Sequence, residues 1–230
     1  MRPAWVKRAI EQLIRQFCSL RGNEAWIGIS SRHSFSVVAG QIIRGGLGRQ
    51  GGHYEVLPDM PLDDGILWRP SSGRDDPELW LAPTKKRYRA AFERYAQRYL
   101  GAAGLTGADV QIDHVFPKKA GVLGGLSYVR MLAIPPESNM AAGRTLEREM
   151  VARNEDLGPR GKETRMATYF AIGKAAGFAA YEQLPDRDDS VGNRQLAAAL
   201  MAHLRGYGLP ADVLTALDRK LTEDTLGSIR

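Results

Sequence analysis

Asp113 and His114 stand side by side in the run Gln111-Ile112-Asp113-His114-Val115-Phe116-Pro117-Lys118, and Asn139 follows later in the chain. A carboxylate is a hard oxygen donor suited to one divalent ion such as Mg²⁺ or Mn²⁺. An amide carbonyl can give the same ion a second oxygen. The neighbouring imidazole is then left to take a proton from water. An activated water beside a bound cation is the minimum apparatus for hydrolysing a phosphodiester. On this reading Asp113 and Asn139 hold the metal and His114 is the general base. Arg130 or Arg144 could grip the non-bridging phosphate oxygens, while Lys118 and Lys119 hold the flanking backbone.

The surrounding pattern says how these groups would be positioned. Val110, Ile112 and Phe116 alternate with Gln111 and Asp113, the period of a strand with one buried face. Neighbours on a regular strand point to opposite faces, so a bend at Val115-Phe116-Pro117 is needed to bring Asp113 and His114 into one cleft. Residues 118–126 read as a basic, glycine-rich loop, Tyr128–Ile134 as a second strand, and Pro135–Ser138 as a turn. Asn139 is placed as a helix N-cap, with Gly143, Leu146 and Met150 on its face. Glu147 lies eight residues beyond Asn139. That is about 12 Å along a continuous helix, too far to share an ion with it.

Strand, loop, strand, helix, with Asp-His in the first strand and Asn at the helix start, resembles the DH…N form of the HNH (ββα-metal) endonucleases. Nuclease colicins belong to that superfamily, as does the HNH domain of RNA-guided CRISPR effector nucleases. The resemblance covers residues 108–153 of the 230. It implies a metal-dependent endonuclease and favours DNA over RNA as substrate. The sequence departs from the family at the central Asn of the second strand, where Tyr128, Val129 and Arg130 stand. It also lacks the Cys-x-x-Cys zinc knuckles of many members.

The chain as a whole bounds the alternatives. Its 43% hydrophobic content is enough for a packed core, and its net charge of +6 favours a polyanionic partner. The single Cys18 excludes an intramolecular disulfide and any multi-cysteine zinc site. No apolar run reads as a signal peptide or a membrane span. We therefore expect a cytoplasmic protein, or one delivered into a target cell without a signal peptide. A G-x-G-x-x-G match at Gly46, Gly48 and Gly51 runs into a strand-like segment rather than a helix, so it is no dinucleotide site.

Along the chain, residues 3–20 read as a helix, 25–30 and 35–43 as a hairpin of strands, and 53–57 as another strand. His33 and His53 read as surface imidazoles. Residues 55–80 are acidic and rich in Pro and Gly, and read as a loop pinned by Trp68 and Trp80. One reading of that acidity is intramolecular masking of a basic cleft. Residues 84–100 predict a helix capped by Thr84, with Tyr88, Phe92, Tyr95 and Tyr99 packing as a stripe. Lys85, Lys86 and Arg89 on its basic face are candidate phosphate contacts. Residues 154–163 read as a linker, 164–184 as one long helix, and 192–205 and 210–222 as two more, with His203 on the surface of the first of these.

The expected fold is α+β: a ββα-metal (HNH-like) core at 108–153, embedded in a mostly helical domain with an N-terminal antiparallel β section. Residues 1–107 form the N-terminal α+β region and 154–230 the helical end, all packing as one unit. Two rival functions stand beside the endonuclease. One is a non-catalytic nucleic-acid-binding module that keeps a degenerate HNH shape, favoured by the missing Asn. The other is a toxin effector of the ribonuclease or DNase kind, for which an immunity or masking protein is a candidate partner.

Overall fold

The structure, a computed structural model, describes residues 2–18, 26–31, 52–145, 147–148, 151–152, 155, 164–166, 169–180 and 189–223. The predicted strand at 35–43, the glycine run after residue 45, His33, and the linker at 154–163 apart from residue 155 lie outside them.

The fold is α+β, built on an antiparallel sheet. The strands are β1 (Trp26–Ile29), β2 (Gly52–Glu55), β3 (Gly65–Pro70), β4 (Glu78–Leu81), β5 (Gln111–His114), β6 (Tyr128–Ile134) and β7 (Thr164–Met166). They run in the order β2-β3-β4-β6-β1-β7, and β5 pairs with β6. Strand β6 is the hub. Its first half meets β1 and β4, with Gly28 and Leu81 opposite Val129. Its second half meets β5, with Asp113 opposite Leu132 and His114 opposite Met131. A strand so enclosed is buried on both faces: β6 is buried at every position, and its charged residue, Arg130, is paired with Glu78.

Helix α1 (Ala4–Phe17) lays Val6, Ile10, Leu13, Ile14 and Phe17 against the core. The remaining helices are α2 (Tyr88–Tyr99), α3 (Lys118–Leu123), α4 (Pro136–Arg144), α5 (Tyr169–Ala176), α6 (Ser190–Gly206) and α7 (Ala211–Glu223). One continuous apolar cluster joins Leu13, Phe92, Val129, Ile172, Leu200 and Leu217. The N-terminal region, the Asp-His segment and the helical end thus share a core. A smaller cluster of Ile29, Ile66, Trp68, Trp80 and Tyr128 packs together separately. Among the described residues no helix is long and apolar enough to cross a membrane.

The acidic segment at 55–80 is not a loop. It carries β3 and β4, whose Ile66, Leu67, Leu79 and Leu81 are buried. Each apolar run is short and flanked by proline and aspartate, so its strand character depends on its neighbours in the sheet: β4 lies against β6, and β3 lies between β2 and β4. Its acids also find internal partners: Asp76 meets Arg8 at 2.9 Å, Asp75 meets Arg15 at 3.0 Å, and Asp64 holds Lys85.

Three further expectations change. The predicted loop at 118–126 contains α3, which buries its small residues Ala120 and Gly121 and ends at Gly124-Gly125, the latter at φ +70°. Helix α2 begins at Tyr88 after a left-handed Arg87 (φ 55°), with no side-chain cap from Thr84. The long helix predicted at 164–184 is a strand, β7, followed by the short α5. Pairing of Thr164 with Ile29 draws its first residues into the sheet, and Gly177 at φ +88° closes the helix.

Candidate functional site

Strand β5 is regular through His114, and the Val115 N–H continues its ladder by donating to the Arg130 carbonyl at 2.9 Å. The predicted bend therefore does not gather the two side chains on one face. Gln111 and Asp113 point one way, Ile112 and His114 the other, which is the ordinary alternation of a strand. The backbone keeps the two groups close all the same. Asp113 Oδ1 accepts from the His114 backbone N–H at 2.8 Å and lies 4.0 Å from His114 Nδ1.

On the His114 side the imidazole is buried, with Tyr88 edge-on at a ring separation of 5.1 Å and the Ala82 backbone beside it. The Lys118 ammonium sits 5.8 Å over the same tyrosine ring. Burial pushes the imidazole pKa down to about 4, against the opposing pull of Asp113; Lys118 and Lys174 push it the same way as burial. His114 is therefore neutral at physiological pH. Its Nε2 is buried with no hydrogen-bond partner.

On the Asp113 side the neighbours are Asn139, Lys174 and Glu147. Asn139 donates from Nδ2 to Gln111 Oε1 at 2.7 Å, which sets its amide against the face that carries Asp113. Its Oδ1 is buried without a partner. Asn139 is not an N-cap: α4 starts at Pro136 after Pro135, and the Asn139 N–H already bonds the Pro135 carbonyl at 3.1 Å. The helix face predicted to run on from Asn139 also stops early. Helix α4 ends at Arg144, Gly143 opens onto free space, and Leu146 and Met150 lie outside the described residues.

Because α4 ends there, Glu147 is free of the helical spacing that separated it from the site. Lys174 of α5 donates to Asp113 Oδ2 at 2.9 Å and also contacts Glu147 Oε1 directly. Burial opposes the ammonium, but the Asp113 and Glu147 charges together outweigh it, so the Lys174 pKa is held above the ordinary lysine value. Two carboxylates share one ammonium. The Glu147 carboxyl is shifted upward, by burial first and by the Asp113 charge last. Neither Lys174 nor Glu147 was assigned to the site from the sequence. The available signal was a lone lysine within the apolar run Tyr169–Ala176, since a cation buried there must find a partner.

Arg130 does not belong to this site. It is buried on β6, 3.2 Å from Glu78, and donates to Gln16 Oε1 at 2.6 Å. Gln12, Gln16 and Trp80 donate to the same Glu78 carboxylate. This network joins α1 to the sheet, so Arg130 is not placed to clamp a phosphate. Arg144 is exposed in the last turn of α4. Of the predicted phosphate contacts, Lys118, Lys86 and Arg89 are exposed, while Lys85 is tied to Asp64 and Lys119 to Glu155 at 2.5 Å. His53 is an exposed surface imidazole, 3.1 Å from Glu55. His203 is half-buried rather than on the surface, its Nε2 being 2.9 Å from the Ala176 carbonyl.

Among the described residues no group of three or more His, Cys, Asp or Glu side chains converges as a metal cluster. The donors that do fit a hard cation are the Asp113 carboxylate, 24% exposed, and the unpartnered Asn139 Oδ1. No family model, no curated protein and no solved structure matches the chain.

Proposed function

We propose that the chain is a metal-dependent phosphodiester hydrolase of the HNH type, acting on nucleic acid and on DNA in preference to RNA. One observation carries this reading. His114 Nε2, on one face of β5, and Asn139 Oδ1, on the side that carries Gln111 and Asp113, are both buried and both without a hydrogen-bond partner. A buried polar atom left unpaired costs about 1–3 kcal/mol. Unpaired buried groups close to an Asp-His pair are candidates for contact with a ligand or an ion. The fold is α+β but not the ββα-metal core expected at 108–153. Strand β5 pairs with β6 and α4 follows, yet β6 is the hub of a larger antiparallel sheet and α3 stands in the connection. The reading therefore rests on Asp113, His114 and Asn139 rather than on the fold.

In this mechanism Asp113 and Asn139 would hold one Mg²⁺ or Mn²⁺, which supplies Lewis-acid stabilisation of charge on the phosphate oxygens. Asp113 lies toward Nδ1 of His114, leaving Nε2 as the nitrogen that accepts a proton from water. The low pKa keeps Nε2 unprotonated and ready, though it makes His114 a weak base. Tyr88 packs edge-on against the buried ring. Lys118, Lys86 and Arg89 are exposed for contact with the flanking phosphates, and Arg144 stands at the end of the helix that carries Asn139.

A non-catalytic nucleic-acid-binding module is the second reading. The ammonium on Asp113 and the closure over His114 favour it. Plasmid nicking in Mg²⁺, Mn²⁺ and EDTA, with wild type and His114→Ala, separates the two. The hydrolase nicks in either metal, stops in EDTA, and loses about 10²–10⁴-fold in rate with His114→Ala. Binding without nicking in any metal would establish the module instead.

A further inference from the structure

Asp113 reaches a cation that the chain itself provides. The Lys174 side chain is 1% exposed, and its ammonium lies between Asp113 Oδ2, 2.9 Å away, and the carboxylate of Glu147. Its backbone is fixed independently, because Ser138 Oγ donates to the Lys174 carbonyl at 2.7 Å and so ties α5 to the first turn of α4. The hold on the backbone is thus separate from the ammonium's two partners.

We propose that Lys174 is the resident cation of this site and that a divalent ion binds Asp113 by displacing it, with Glu147 as the second carboxylate of the exchange. The proposal rests on the reading of Asp113 as a metal ligand. Three observations support it. First, two carboxylates and one ammonium leave a formal charge of −1, which a divalent ion in place of the ammonium would neutralise. Second, a metal ion binds carboxylate oxygen at about 2.0–2.2 Å, and an ammonium at hydrogen-bonding distance from the same carboxylate would repel it strongly in a buried site. The two cations are therefore alternatives. Third, Asp113 is partly open to solvent, which gives an entering ion and a departing side chain a route. The unfilled Oδ1 of Asn139 is the neutral donor that only the metal form would use.

The test is Mn²⁺ binding by calorimetry on wild type, Lys174→Gln, and Lys174→Gln combined with Asp113→Asn, with circular dichroism to establish folding. Lys174→Gln should bind Mn²⁺ on the order of tenfold or more tightly than wild type. The added Asp113→Asn should abolish that gain. A folded Lys174→Gln that binds no more tightly than wild type overturns the proposal and leaves Asp113 as a metal ligand. Absence of Mn²⁺ binding in both proteins overturns the metal reading as well.

A measurement on wild type covers the case in which the variant does not fold. Acetylation of Lys174, followed by mass spectrometry, should be slow in EDTA and rise several-fold once calorimetry shows the protein saturated with Mn²⁺. Equal protection in both conditions overturns the displacement.

Discussion

The Arg130 guanidinium lies 3.2 Å from the Glu78 carboxylate, and both side chains are buried between α1 and the sheet. Removing one partner leaves the other charge buried and uncompensated, which typically costs 3–5 kcal/mol, or about a third of a domain's stability. Arg130→Ala should lose about that much in urea unfolding. The double variant Arg130→Met, Glu78→Gln should recover part of the loss, because no charge is then left unpaired and an amide oxygen still accepts from Gln12 and Gln16. If Arg130→Ala unfolds like wild type but cleaves poorly, Arg130 is a phosphate clamp after all.

His114 makes stability depend on pH. Its folded pKa is lowered to about 4 from the ordinary 6.5, so between those values the unfolded chain carries a proton that the folded chain refuses. Stability should therefore be fully present above about pH 6.5 and fall as pH drops toward 4, by up to about 3 kcal/mol. His114→Leu should flatten that part of the pH–stability curve. An unchanged slope would mean that other groups set the acid sensitivity.

The proposed metal ligands, Asp113 and Asn139, should behave as a unit. Asp113→Ala should abolish most Mn²⁺ binding, since Asp113 carries the formal charge of the pair. Asn139→Ala should weaken it less, and the double variant should be little worse than Asp113→Ala. Asn139 sits inside the first turn of α4 rather than at its cap. Its replacement therefore trades the Gln111 hydrogen bond, about 1 kcal/mol, against a helix-propensity gain of about half that. Calorimetry measures the first set of effects and thermal unfolding the second.

Nucleic-acid binding should be dominated by the phosphate backbone. Affinity for duplex DNA should fall steeply with salt, and Lys118→Ala, Lys86→Ala and Arg89→Ala should each reduce the log–log slope by about 1. Lys85→Ala and Lys119→Ala should reduce it less, because Asp64 and Glu155 already hold those ammonium groups. Fluorescence anisotropy across a salt series measures all five. Salt-independent affinity would point to a different partner.

Local pattern alone determined much of this protein. Apolar spacing placed α1, α2, β5, β6, α6 and α7, because each buries one face or a whole strand at a period visible in its own residues. The adjacency of Asp113 and His114, and an Asn shortly after the second strand, were likewise plain in the chain. Tertiary structure decided the rest, and the reason in each case is a partner distant in sequence. Strand β4 becomes a strand against β6, and β7 pairs with β1 across more than half the chain. Arg130 looked like a cation beside a phosphate site until Glu78 and Gln16 enclosed it. The segment of Lys174 signalled only a cation in an apolar run, and neither it nor the segment of Glu147 named the partner. They meet at Asp113 because α4 stops at Arg144 and α5 packs behind it, which puts a cation between two carboxylates from three separate parts of the sequence.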